Sequence, residues 1–304
     1  MQTTPTTNYI ITQCYGNEGV FYECAFALLS LSRLYPTALP TNTEIWIYTD
    51  NPVWFQTFSN CNLPLQYRQI DAATIQAWRG KIDFVHRVKI ELLNDFTQDR
   101  QGNILYIDTD VVFTWPVNKM LEDIEAGKRY MHTMEGKICD EGNPVLKKLN
   151  TYLQANNRKQ NNGQPLNALA MWNAGVLGFN TADAAMLNEV LAFTDNEYPQ
   201  FPKHVVEQFA FSAFFQQAGA VKAAMPCILH YWNLKEARYL LASFFKTFKI
   251  ESWQNLVAYS QLIQMPVLMQ EKANFFQNRS IAGKLGKKKW LPALPDWKEL
   301  IKQL

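Results

Sequence analysis

The sequence predicts an α/β fold: a mixed, mostly parallel sheet flanked by helices, with a helical C-terminal extension. Three observations carry this. Short apolar or alternating runs recur at strand length, segments with helical apolar spacing separate them, and the connections between the two are short. Tyr9–Thr12 is β-rich and passes through Gly16-Asn-Glu-Gly19 into Val20–Tyr35, whose apolar residues keep helical spacing until Pro36. Glu44–Tyr48 is a second strand, ending at Thr49-Asp50, and Leu65–Ile70 alternates as a third. Asp83–Phe96 places Phe84, Val85, Val88, Leu92 and Leu93 on one helical face, and the strand Asn103–Ile107 follows after a polar loop. Sheets built this way bind ligands just beyond the carboxyl ends of their strands, where loops converge.

With 304 residues, 48% of them hydrophobic, the chain can bury one large core. Its 29 basic and 27 acidic residues nearly cancel, which argues against a protein that coats nucleic acid and favours a small-molecule substrate. Aromatics at 13% suit sugar and base stacking, and suit an ordinary core equally well. Cys14, Cys24, Cys61, Cys139 and Cys227 are scattered, with no Cys-x-x-Cys pair, so neither a disulfide framework nor a zinc site is expected. Met1–Asn8 lacks the basic start and apolar stretch of a secretory signal, and no run approaches the ~20 apolar residues of a membrane span. The expectation is a soluble protein of the cytoplasm. The Asn/Gln-rich stretch Gln154–Gln164 reads as a mobile loop.

The chemistry concentrates at strand ends. In Ile104-Leu-Tyr-Ile-Asp-Thr-Asp110, Asp108 and Asp110 emerge together from an apolar strand with Thr109 pointing the other way. Two carboxylates so placed suit a hard divalent cation that keeps positions open for phosphate oxygens. Asp-x-Asp is also common in solvated turns, but here it sits between apolar runs, where unpaired charge is costly. His230 ends the run Pro226-Cys-Ile-Leu229, and a neutral imidazole can complete a manganese-type site begun by two carboxylates. Lys235, five residues on, adds a cation where a diphosphate would lie. Asn173 can bond a sugar hydroxyl, with Ala174 and Gly175 letting a ligand approach the backbone before the strand Val176–Asn180. Glu207 and Gln208 lie on a helix, His204–Gln217, rich in phenylalanine.

Taken in order over residues 9 to 240, these segments resemble the GT-A glycosyltransferases, most closely family 8 and its relatives. The resemblance implies a Rossmann-like nucleotide-diphosphosugar transferase fold and a manganese (or magnesium) ion on Asp108, Asp110 and His230. It further implies donor contacts from Thr12, Tyr15 and Asn17 in the first loop, from Arg87 in Phe84-Val-His-Arg-Val-Lys89, and from Asp108, Thr109, Asn173, Ala174 and Lys235. Glu207-Gln208 is similar to the family's Asp-Gln pair, which places both at the reacting sugar. A UDP-sugar donor, a saccharide, lipid-linked or protein acceptor, and retention of configuration are the corresponding expectations. The family pattern His-x-x-Gly-x-x-Lys-Pro-Trp is not kept: His230-Tyr-Trp-Asn-Leu-Lys235 lacks the Gly and Pro and brings the Lys one residue closer. Two other readings stay open, a sugar-phosphate nucleotidyltransferase and a non-catalytic nucleotide-sugar binder. Against the first, Gln13–Gly19 has no basic residue to hold a triphosphate.

Residues 1–242 then form the catalytic domain, with a donor-side N-terminal half and an acceptor-side C-terminal half, and 243–304 a helical, basic extension. Its Lys284, Lys287, Lys288 and Lys289 beside Trp290 suit peripheral contact with an anionic membrane face, or simply a solvated tail.

Overall fold

A computed structural model describes residues 6–58, 60–140, 143–160, 163–278 and 289–304. The strands, in chain order, are β1 (Asn8–Cys14), β2 (Thr43–Thr49), β3 (Leu65–Gln69), β4 (Asn103–Ile107), β5 (Val111–Phe113), β6 (Arg129–Met131), β7 (Met134–Lys137), β8 (Ala170–Trp172), β9 (Val176–Asn180), β10 (Val221–Ala223) and β11 (Ile228–His230). The helices are α1 (Glu18–Leu34), α2 (Ala72–Arg79), α3 (Arg87–Thr97), α4 (Asn118–Glu125), α5 (Pro144–Ala155), α6 (Met186–Glu197), α7 (Val205–Gln217), α8 (Ala237–Thr247), α9 (Trp253–Tyr259), α10 (Met265–Gln277) and α11 (Trp297–Leu300).

Among the described residues the main sheet has seven strands in the order β10-β6-β9-β4-β1-β2-β3. All run in one direction except β9, which is antiparallel to both β4 and β6. That reversal positions the site. In the register Ile107↔Val176, the residues entering β9 arrive at the same sheet edge as the residues leaving β4. Asp108 N–H then donates to the Gly175 carbonyl at 2.8 Å. Two small antiparallel ribbons, β5 with β11 and β7 with β8, stand over this edge.

Helix α1 is buried on nearly all sides from Phe21 to Ser32, because the sheet and β5 cover one side and α8 and α9 the other. Its buried polar groups are therefore met by distant partners. Glu23 receives both guanidinium arms of Arg238 at 2.9 and 2.8 Å, Ser30 Oγ accepts from Phe113 N–H, and Ser32 Oγ accepts from the Trp253 indole. The C-terminal helices thus share the core of the sheet. The expected boundary at 242/243 falls inside α8, where Ser243 Oγ accepts from the Trp297 indole at 3.0 Å.

Several sequence expectations shift. The helix expected from Asp83 begins at Arg87, because Gly80 (φ 66°) and Asp83 (φ 49°) hold a left-handed turn first. The stretch expected to be a loop from Gln154 starts inside α5, which ends at Ala155 before a turn through Asn157. Trp290, expected beside a basic surface, is only 7% exposed and packs into the core. Lys284, Lys287 and Lys288 lie outside the described residues. No described helix is long and apolar enough to cross a membrane.

Candidate functional site

Asp108, Thr109 and Asp110 are the whole connection between β4 and β5, so both carboxylates are fixed by strands on either side. β5 pairs with β11 in the register Val111↔His230, which sets His230 beside Asp110. Tyr231 N–H closes the turn on the Asp110 carbonyl at 2.9 Å. His230 Nε2 lies 3.0 Å from Asp110 Oδ1 and 3.8 Å from Asp108 Oδ2. One ligand atom from each residue lies within 4.8 Å of the other two.

The imidazole is oriented from behind. His230 Nδ1 lies 2.8 Å from Asn173 Oδ1, which also accepts from Gly175 N–H at 3.0 Å. An acceptor oxygen there assigns a proton to Nδ1, which leaves Nε2 as the ring atom facing the carboxylates. At 3.0 Å the contact between Nε2 and Asp110 Oδ1 is satisfied by a shared proton or, with that proton displaced, by a cation bound between them. Ligand atoms around an octahedral Mg²⁺- or Mn²⁺-type ion sit about 3 Å apart along an edge, given bonds near 2.0–2.1 Å. The donor set fits such an ion. Gly175 is part of the cradle: a Cβ built there would lie 2.1 Å from His230 Nδ1. The His230 N–H donates to His132 Nε2 at 3.1 Å, so a second histidine holds the backbone.

Each carboxylate has one oxygen committed and one turned to the site. Asp108 Oδ1 accepts from the Tyr106 hydroxyl at 2.8 Å and faces Lys89 Nζ at 3.3 Å, leaving Oδ2 toward His230. Asp110 Oδ2 accepts from Lys235 Nζ at 2.5 Å, leaving Oδ1 toward His230. Burial alone would raise the Asp110 pKa, but the hydrogen bonds and charges of His230 and Lys235 overcome it and hold the carboxyl well below the usual range.

Lys89, with a side chain 4% exposed, lies beneath this group. It donates to the Ala174 carbonyl at 2.9 Å and faces Glu207 Oε1 at 3.2 Å. The contact with Glu207 is one of charge without hydrogen-bond alignment, and Oε1 has no donor. Burial pushes the Glu207 carboxyl up to about 7 despite the lysine, with Asp108 adding to the rise. On the facing wall Glu135 joins two expected residues, accepting from Asn173 Nδ2 at 3.0 Å and from Gln208 Nε2 at 2.9 Å.

The cleft, about 640 Å³, is lined by Asp108, Asp110, Asn173, Ala174, Glu207, Gln208, His230 and Lys235 of the expected residues. The others lie apart. Arg87, expected to reach the donor, turns its guanidinium away onto Asp195 at 2.7 and 3.1 Å, Glu91 at 2.7 Å and the Trp78 carbonyl at 2.7 Å. Lys89, two residues on, brings the cation of that helix into the cleft. Thr109 is buried outside the lining, and Thr12 is buried with its hydroxyl unpartnered. Asn17 precedes α1 as an exposed N-cap residue whose side chain makes no capping bond. Tyr15 is half-buried. Burial raises its hydroxyl pKa, with the charges of Arg79, Asp108 and Lys89 also acting on it, and it lies outside the lining of the cleft.

Lys89, Glu135 and His132 are the site residues that sequence reading missed. Lys89 carried a signal, a lysine three and four residues before the buried Leu92 and Leu93; Glu135 carried none. The chain's four histidines also gather here: His86, His204 and His230 line the cleft, and His132 meets His230 edge-on with ring centres 5.4 Å apart.

No family model and no curated protein matches the chain. Among solved structures it is similar to the galactosyltransferase LgtC in complex with donor and acceptor sugar analogs, at 12% identity over 71% of this chain and 73% of that one, with a TM-score of 0.46. It is also similar to the glycosyltransferase GlyE of Streptococcus pneumoniae TIGR4, at 12% identity over 84% of this chain and 63% of that one, with a TM-score of 0.48. Mouse xyloside xylosyltransferase 1, in its apo form, matches at 10% identity over 72% and 85%, with a TM-score of 0.47. The match spans less than two thirds of the GlyE chain. At these scores the likeness is one of general α/β architecture, and any functional reading rests on the geometry of the cleft.

Proposed function

We propose that this chain is a metal-dependent glycosyltransferase that moves a sugar from a nucleotide-diphosphosugar, a UDP-sugar in our reading, to an acceptor hydroxyl with retention of configuration. The observation that carries the reading is the triad Asp108, Asp110 and His230, with one ligand atom of each within 4.8 Å of the others. A bound Mn²⁺ or Mg²⁺ would supply positive charge against the diphosphate leaving group.

The protein's own groups do the rest. Lys235, on the rim of the cleft with its side chain 56% exposed, has room to turn from Asp110 toward phosphate oxygens. Lys89 holds Asp108 and the Ala174 carbonyl in place, so the turn through Asn173–Gly175 keeps its distance from the bound sugar. Asn173, Glu135 and Gln208 offer donors and acceptors for sugar hydroxyls along one wall. Gln208 and Glu207 take the reacting side of the sugar, Gln208 with its amide held by Glu135 and Glu207 buried against Lys89. An inverting route calls for a carboxylate free to take the acceptor proton. Glu135 is engaged through both oxygens by Asn173 and Gln208, which supports retention.

Turnover of UDP-sugars in the presence of Mn²⁺, read as UDP release, tests the reading. The double variant Asp108→Asn, Asp110→Asn should lose at least about 100-fold in rate, since charge stabilisation of this kind is worth that much. Unchanged turnover would remove the metal site from the reaction.

A further inference from the structure

Of the chain's nine tryptophans two are largely exposed, Trp115 at 62% and Trp232 at 52%, and of these Trp232 lines the cleft. It lies two residues past His230 and three before Lys235, in a segment whose Tyr231 and Leu234 are fully buried, yet it is 52% exposed and lines the cleft. The Trp46, Trp253 and Trp297 indoles donate to side-chain oxygens, and Trp54 and Trp78 pack on other rings. Among the described residues Trp232 makes no hydrogen bond and no ring contact. A large flat apolar face left bare at the mouth of a polar cleft is the usual mark of a binding surface.

We propose that Trp232 is the stacking platform of a saccharide-acceptor subsite, a proposal that rests on the donor reading above. The rest of the lining selects the class of ligand. Glu135, His204 and Asn143 offer hydrogen bonds, and Met134 and Val145 add exposed apolar surface. A pyranose ring presents both kinds of surface at once, C–H groups on its face and hydroxyls on its rim. An alkyl chain would strip water from Glu135 and His204 without replacing their hydrogen bonds.

The test uses the full chain loaded with Mg²⁺ and UDP and titrated with maltose, cellobiose, lactose and N,N′-diacetylchitobiose, read by saturation-transfer NMR. At least one disaccharide should bind, with the strongest transfer to ring C–H protons. Trp232→Ala and Trp232→Leu should weaken it roughly tenfold or more, while Trp232→Phe stays within about threefold. The leucine keeps bulk without a flat face, so it preserves the test if the alanine variant fails to fold. Binding unchanged in the alanine or leucine variant would overturn the proposal, and so would UDP binding with no disaccharide binding. If UDP itself fails to bind with Mg²⁺, the donor reading falls, and the acceptor subsite falls with it.

Discussion

Lys89 lies 3.3 Å from Asp108 and 3.2 Å from Glu207 inside the protein, so two carboxylates share one ammonium with little water to help. Removing that ammonium leaves buried negative charge unpaired. Lys89→Met should therefore destabilise the fold by about 3–5 kcal/mol in urea unfolding, and adding Glu207→Gln should recover part of the loss. Equal stability of Lys89→Met and the wild type would show that the pair is not coupled. This residue also marks how far the sequence could be read. Asp108, Asp110, Asn173 and His230 were legible because each borders an apolar run, Asp108 and His230 after one and Asp110 and Asn173 before one. The choice between Arg87 and Lys89 was not, because it depends on Asp195 and Glu91 drawing the guanidinium away from the cleft. That attraction leaves no local pattern.

At the scale of elements, β9 decides the geometry. A parallel strand between β4 and β6 would deliver Asn173–Gly175 to the opposite end of the sheet from Asp108. The bounds of β4 and β9 could be read from the sequence, but the reversal and the β5–β11 ribbon could not. Three-residue strands paired across more than a hundred residues have no periodicity to detect. Gly175 is where this arrangement is most sensitive, since the His230 ring fills the space a side chain would take. Gly175→Ala should destabilise the protein by about 1–3 kcal/mol through overpacking. It should also weaken Mn²⁺ binding, measured by electron paramagnetic resonance, by roughly 10–100-fold through the displaced ligand. Wild-type Mn²⁺ affinity in this variant would mean that His230 is not held by this contact.

Across the whole molecule, the C-terminal helices complete the core around α1 and the histidines gather on one cleft, which ties stability to pH. Burial, with Lys89 adding to it, pushes the His86 pKa down from 6.5 to about 4. Between those values the unfolded chain takes up a proton that the folded chain does not. The stability from this group is therefore present above pH 6.5 and lost as pH falls toward 4. Relative to wild type, His86→Gln should gain on the order of 2 kcal/mol between about pH 7 and pH 4, and parallel stability curves would contradict the assignment.

Under the proposed function, Asp108, Asp110 and His230 hold a divalent cation that in turn holds a nucleoside diphosphate. Thermal unfolding with UDP and Mn²⁺, together and separately, is the sharpest check. At about 100 times the dissociation constant, a ligand of the folded state adds about 2.7 kcal/mol, which for a chain of this size is a rise of roughly 5 °C. Wild type should show that rise with UDP and Mn²⁺ together, and lose it with EDTA or in His230→Ala. An equal UDP shift in EDTA, or a wild-type shift in His230→Ala, would contradict the cation's role.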